Sequence, residues 1–379
     1  MRPIYLDHNA TTPVMEEVAA AMQPFLTKHF GNPSSSHFYG KETKRAVENA
    51  REQVADLLSC ESDEIIFTSG GSESNNLAIK GFIERNRSGG NHIITSTIEH
   101  PAVLNVCKYL ELQGYKITYI PVDKYGLIDP GNIEKAIKPG TILVTIMHAN
   151  NEVGTIQPIA DIAAIAHKHG VMMHTDAAQS VGKIVTTIDE LNVDLLSVAG
   201  HKLYAPKGVG ALYIRKGIQL SSIIHGANHE RHLRAGTENV LEIVGLGTAC
   251  ALAKKKLVQN SEHMRNLRDR LWNGLKSSLS DVVLNGHPEK RLPNTLSVGF
   301  PGIDANALLN DLKEVAASPG AACHSDVAEA SHVLKSMEVP ERISLGTVRF
   351  STGALNDETQ IDMAIEYIVK AVKRFRPER

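Results

Sequence analysis

Three short stretches of this 379-residue chain carry side chains whose types and spacing could do chemistry. In Thr68-Ser69-Gly70-Gly71-Ser72-Glu73-Ser74-Asn75-Asn76, paired glycines let the backbone approach a ligand and Ser72 is placed to cap a helix. Exposed N–H groups and the helix dipole would then attract an anion such as phosphate. The spacing matches neither GxGxxG nor GxxxxGK[ST], which disfavours a dinucleotide or a nucleoside triphosphate, and an ordinary strand-to-helix turn accounts for the glycines equally well. In His174-Thr175-Asp176-Ala177-Ala178-Gln179, Asp176 falls just past an apolar run, where it could pair with a buried cation or simply cap a helix. In Ala199-Gly200-His201-Lys202-Leu203-Tyr204, Lys202 would have a lowered pKa and form a Schiff base if desolvated, and would be a plain surface lysine if not.

These side chains need a frame. Short apolar, β-branched runs recur at 64–68, 92–96, 117–122, 142–147, 171–174, 195–198 and 210–214, separated by helical periodicity such as Val47, Ala50, Val54 and Leu58. That alternation predicts an α/β fold with six or seven strands in a mostly parallel sheet. After Arg215 a His-rich loop leads into a long helical stretch from about Val240 to Leu279. Two strand-like runs and an amphipathic helix through Ile361, Ile365, Ile368, Val372 and Phe375 follow, as a smaller α+β unit. All three chemical stretches then lie at strand C-termini of one sheet. A phosphate anchor, a ring-nitrogen partner and an imine-forming lysine are the parts that hold pyridoxal 5′-phosphate.

Composition excludes other classes. Forty Lys+Arg against 42 Asp+Glu, a net charge of −2, give no basic surface for nucleic acid or membrane. No apolar run approaches the ~18 residues of a membrane span or forms a leader, so a cytoplasmic, reducing address is expected. Four cysteines, Cys60, Cys107, Cys250 and Cys323, make neither a CxxC pair nor a disulfide framework. His225, His229 and His232 lack the carboxylate or thiol that would complete a tetrahedral metal set, and no metal site is expected.

The chain resembles a known family. LDHNATTP, NPSS, TSGGSESNN, EHPAV, NNEVGTIQP, HTDAAQ, GHKLYAPKG, RAGTEN, SPGAACHS and VRFSTG together are similar to the NifS/IscS-type cysteine desulfurases of the class-V aminotransferases, with selenocysteine lyases close by. The resemblance implies the fold-type-I transferase architecture of pyridoxal 5′-phosphate enzymes, a seven-stranded, mostly parallel sheet with helices on both faces. Residues 16–255 would form the large domain, and 1–15 with 256–379 the small one. By the same resemblance Lys202 carries the cofactor covalently and acts as the base at Cα, Asp176 faces the ring nitrogen and Gln179 the ring oxygen. His100 stacks over the ring, Gly71, Ser72 and His201 hold the phosphate, and Asn151 and Arg349 orient the substrate carboxylate. Thr237 reaches the phosphate of a neighbouring subunit, implying a homodimer with shared sites. Cys323 takes the sulfur of L-cysteine as a persulfide, releases L-alanine and passes the sulfur to an acceptor such as an Fe–S scaffold. Its thiol, ordinarily of pKa ~8.5, would need a nearby cation or helix N-terminus to ionise. The other three cysteines read as small hydrophobes.

The sequence departs from that pattern in places. Ala199 stands where a phosphate-binding serine is usual, so one hydroxyl is missing. The Gly320-Ala321-Ala322-Cys323-His324-Ser325 loop is closer to selenocysteine lyases, whereas Pro101 after His100 follows the desulfurases. Cysteine desulfurase is the reading implied, with selenocysteine lyase as the alternative.

Overall fold

The computed structural model describes residues 2–322 and 329–376. Its strands in chain order are β1 (Ile4–Tyr5), β2 (Ile65–Thr68), β3 (His92–Ser96), β4 (Lys116–Ile120), β5 (Thr141–Thr145), β6 (Met172–Asp176), β7 (Leu195–Ala199) and β8 (Gly210–Ile214). They continue as β9 (Val283–Asn285), β10 (Thr295–Gly299), β11 (Val315–Ala316), β12 (Ser318–Pro319), β13 (Ala321–Ala322), β14 (Glu329–Ala330) and β15 (Thr347–Ser351). The helices that matter for the site are α1 (Phe38–Leu58), α2 (Gly71–Asn76), α3 (Pro101–Leu112), α4 (Ile159–Lys168), α5 (Val240–Ser278) and α6 (Glu358–Phe375).

Seven strands form one sheet in the order β2-β8-β7-β6-β5-β3-β4. The β3, β4, β5, β6 and β7 pairings are parallel, and β8 alone runs against its neighbours β2 and β7. Successive strand residues sort to opposite faces, as the two-residue period requires. Ile65, Phe67, Val144, Leu196, Val198, Ala211 and Tyr213 pack with α1, α4 and the first half of α5. Ile66, Leu143, Leu195, Leu212 and Ile214 pack with α3 and the helical turns that follow α2. Burial on both faces is why these strands read as continuous apolar runs rather than alternating ones.

A four-stranded sheet of order β12-β15-β10-β9 holds a second core with α6 and the far half of α5. Helix α5 therefore serves both cores: Ile243, Leu246, Ala249 and Cys250 belong to the first, and Leu267, Leu271 and Leu275 to the second. The segment around residues 4–12 joins the two sheets. Strand β1 pairs with β11, Ser351 N–H donates to the Leu6 carbonyl, and Thr12 N–H donates to the His201 carbonyl at the end of the large sheet.

Several expected boundaries shift. The run 117–122 stops at Ile120 because Pro121 has no N–H for the ladder. Ser72 does not cap α2: the cap position is Gly70, whose φ of 148° and ψ of −179° only glycine adopts readily, and Ser72 lies inside the first turn. Asp176 is the last residue of β6 rather than just past it. Among the described residues no helix is long and apolar enough to cross a membrane.

Candidate active site

The ends of β2, β3, β5, β6 and β7 that carry Thr68, Ser96, Thr145, Asp176 and Ala199 open toward one cavity of about 400 Å³. This is where α/β sheets bind ligands, because helix N-termini and loop side chains converge there. Gly71, Ser72, His100, Asn151, Asp176, Gln179, His201, Lys202 and Arg349, nine of the residues singled out from the sequence, line it. Thr237 is exposed and lies outside that lining. Cys323 falls outside the described residues.

Asp176 is 6% exposed, and its partners are neutral donors: Ala178 N–H to Oδ1 at 3.0 Å and Asn75 Nδ2 to Oδ2 at 2.7 Å. It makes no ion pair among the described residues, so a buried carboxylate faces the cavity uncompensated. Such a group is costly unless a cation meets it. Lys202 sits on the turn after β7, and its ammonium donates to the backbone carbonyls of Asn9 and Ala10, the latter at 2.6 Å. Burial lowers its pKa to about 8, with the Arg349 charge adding to the effect and Asp7 and Asp176 opposing it. Part of the population is then neutral amine near pH 7, the form that attacks a carbonyl.

Arg349 on β15 reaches the cavity from the second sheet. Its Nη2 donates to Asp7 Oδ1 at 2.8 Å and Ser318 Oγ at 3.0 Å, and Nη1 donates to the Asn151 carbonyl at 3.1 Å. Its buried Nε has no partner among the described residues. His100 caps α3, with Nδ1 accepting from Ala102 N–H at 3.1 Å, which leaves the proton of the neutral ring on Nε2. Burial lowers its pKa; Asp176 opposes that shift, and Lys202 and His332 reinforce it. Glu99 beside it is fully buried and pushed up to about 8 by desolvation, even though Ser96 and the Met147 amide donate to it.

At the other end, α2 presents its first N–H groups, which have no partner inside the helix. Gly71 keeps the approach open there, since a Cβ would come 3.1 Å from that of Ala199, a tight contact. His201 stands opposite, Nδ1 3.2 Å from Thr11 Oγ1, its pKa lowered to about 4 by burial and by Lys202, Lys207 and Lys183. Glu73 is tied to Arg234 at 3.0 Å and accepts from Ser69 N–H at 3.0 Å, which keeps its charge off the cavity floor.

The set fits pyridoxal 5′-phosphate. An uncompensated carboxylate suits a protonated ring nitrogen, a desolvated lysine suits the aldehyde, and a glycine-opened helix start beside Ser72 and His201 suits the phosphate. Sequence reasoning missed Asn75, Asn9 and Asp7, which contact the site residues directly. Asn75 sits one helical turn after Ser72 and both asparagines lie within quoted motifs, so position alone offered a signal. The remaining cysteines are inert by environment: Cys107 and Cys250 are buried, Cys60 is partly so, and burial drives all three thiols to about 12.

Comparisons agree with this geometry. The model of the family described as Aminotransferase class-V matches residues 4–363. A protein named cysteine desulfurase IscS from Dictyoglomus turgidum is 47% identical over 377 residues, covering 99% of this chain and 96% of the relative. One of the same name from Methanosarcina thermophila is 48% identical, covering 99% and 93%. Among solved structures, a NifS-like protein superposes with a TM-score of 0.93 at 40% identity, covering 99% of this chain and 100% of the other. SspA in complex with cysteine superposes at 0.84 and 38% identity, covering 93% and 99%. A cavity built from these strand ends, and a likeness that runs the length of the chain, lead to one conclusion: the chain belongs to the class-V aminotransferase family and groups within it with the NifS/IscS-type proteins.

Proposed function

We propose that the protein is a pyridoxal 5′-phosphate-dependent cysteine desulfurase, which removes sulfur from L-cysteine and releases L-alanine. The observation that carries this reading is the meeting of Asp176 at the end of β6, Lys202 on the turn after β7 and Arg349 in the middle of β15, from two sheets, on one cavity. Relatives at 47% and 48% identity are named cysteine desulfurases, and one structural neighbour was solved with cysteine.

The cofactor supplies an electron sink for negative charge developing at the substrate's Cα. Asp176 would keep the ring nitrogen protonated, since no other cation competes for it among the described residues, and Asn75 and the Ala178 amide hold its two oxygens in place. Gly71, Ser72 and His201 would hold the phosphate and Gln179 the ring oxygen. Arg349 would take the substrate carboxylate with Asn151, and its unpartnered Nε leaves donor capacity beyond the Asp7 pair. Lys202, partly neutral because burial depresses its pKa, is suited to lift the Cα proton, and His100 with its proton on Nε2 to return one. Cys323, outside the described residues, is the proposed sulfur acceptor: an S–S bond to the substrate's sulfur forms as the Cβ–S bond breaks.

We further propose a homodimer in which the exposed Thr237 completes the phosphate site of a second copy, a cytoplasmic location, and an iron–sulfur scaffold or similar protein as recipient of the persulfide. Alanine formation from cysteine and from selenocysteine, measured side by side for wild type and Cys323→Ala, tests the function. Wild type should form alanine from cysteine, and the variant should lose this while retaining bound cofactor. Wild-type turnover by Cys323→Ala would show that the sulfur acceptor is another group.

A further inference from the structure

Lys183 is a buried cation that the chemistry above does not use. It is 4% exposed, lies outside the cavity lining, and makes no ion pair among the described residues. Its neighbourhood is positive: burial first, then the charges of Lys202 and Arg349, lower its pKa to about 7. An ammonium in such a place is expensive, so what it holds is informative.

Its ammonium donates to Gln179 Oε1 at 2.9 Å, and Gln179 Nε2 in turn donates to the Asn9 carbonyl at 3.0 Å, the same oxygen that accepts from Lys202. This chain leaves the amide one orientation. As an ammonium Lys183 offers only donors, and the Asn9 carbonyl is only an acceptor, so a flipped amide would set donor against donor and acceptor against acceptor. The Nε2 end carries a second hydrogen beyond the one given to Asn9, and Gln179 lines the cavity.

We propose that Lys183 is a positioning residue for cofactor binding, fixing the Gln179 amide with its N–H end toward the cavity so that the amide donates to the ring oxygen of pyridoxal 5′-phosphate. The inference rests on the cofactor reading above. Without Lys183, only the Asn9 carbonyl sets the amide, and the flipped form, whose Oε1 would repel an anionic ring oxygen instead of binding it, becomes less disfavoured. The residue therefore acts on an atom it does not touch.

The test compares apo wild type, Lys183→Met, Lys183→Gln and Gln179→Leu for equilibrium binding of pyridoxal 5′-phosphate and of its analogue with hydrogen in place of the ring hydroxyl. Losing one oriented hydrogen bond should weaken binding of the natural cofactor by about three- to tenfold in Lys183→Met. Wild type and Lys183→Met should bind the deoxy analogue alike, because it has no ring oxygen to recognise. Lys183→Gln, whose amide can still donate to Oε1, should recover part of the loss, and serves as the folded comparison if the methionine variant is unstable. Adding Lys183→Met to Gln179→Leu should cost nothing more. Equal weakening for both ligands, no weakening for either, or additive losses in the double variant would overturn the proposal. A wild type that binds neither ligand would instead remove the cofactor reading, and the inference with it.

Discussion

Lys202 shows at the scale of one residue how the fold makes a reagent from a common side chain. A surface lysine is almost fully protonated at neutral pH, whereas this one is held at about 8, chiefly by burial. Neutral amine is the form that captures an aldehyde, so its fraction rises with pH and levels off above the depressed value. The rate of cofactor capture by apo protein, followed by absorbance, should therefore climb and plateau just above pH 8. A climb continuing toward the ordinary lysine value of about 10.4 would show that the amine is not desolvated. Lys202 and Asp176 were legible in the sequence because their chemistry depends on sitting at a strand end, which local pattern reveals. The roles of Asn75 and Asn9 were not, because their partners are far away in the chain: Asn75 acts on Asp176 across 101 positions, and Asn9 on Gln179 across 170. Lys183, four residues from Gln179, was hidden for another reason: nothing in composition tells a buried lysine from an exposed one.

At the scale of elements, the phosphate end depends on how closely α2 approaches the end of β7. Gly71 and Ala199 face each other there, and a second methyl group would make a tight 3.1 Å contact that one side must relax to admit. Ala199→Ser would place a hydroxyl on the cavity wall, and should slow cofactor loss by about tenfold or more through one hydrogen bond to a charged group. Gly71→Ala should speed it, because its methyl would press on Ala199. Dissociation into excess scavenger measures both, and a serine variant that loses cofactor faster than wild type would contradict the placement. Each of the seven apolar runs corresponds to a strand of the large sheet, since burial on both faces leaves an unmistakable pattern. The position of β8, antiparallel between β2 and β7, was not legible, because strand order depends on contacts between segments far apart in sequence.

Across the whole molecule, buried titratable groups set the response to acid. His8, His92, His148 and His174 are buried, and burial lowers their pKa values to about 4, 4, 4 and 3. Below the ordinary value of about 6.5 the unfolded chain takes up protons that the folded chain refuses, so each histidine costs about 1.4 kcal/mol per pH unit as pH falls toward 4. Glu99, held at about 8, works the other way between 4.5 and 8, since the folded chain binds its proton and the unfolded chain does not. Burial raises Glu152 and Glu242 in the same sense and lowers His100 and His201 with the other histidines. Six histidines outweigh three carboxyls, and the denaturation midpoint of the apo protein should fall between pH 6.5 and 4.5; a flat profile would mean these histidines are hydrated. The two cores support our proposal of a large unit at 16–255 and a small one from 1–15 with 256–379. That boundary was soft in the sequence because α5 runs through it with no glycine or proline between Gly247 and Gly274 to stop it.

The short segment that joins the two sheets also governs when the site can come into being. Asn9, whose carbonyl receives both Lys202 and Gln179, is itself held by Thr295 and Ser351, 286 and 342 positions further along. During synthesis Asp176 and Lys202 leave the ribosome well before those two partners exist. A nascent chain can thus fold much of the large sheet while the cavity still lacks one wall, and contacts of such long sequence separation form late. Cofactor retention should therefore mark the last stage of biogenesis, and a chain stalled before residue 351 should have no grip on it.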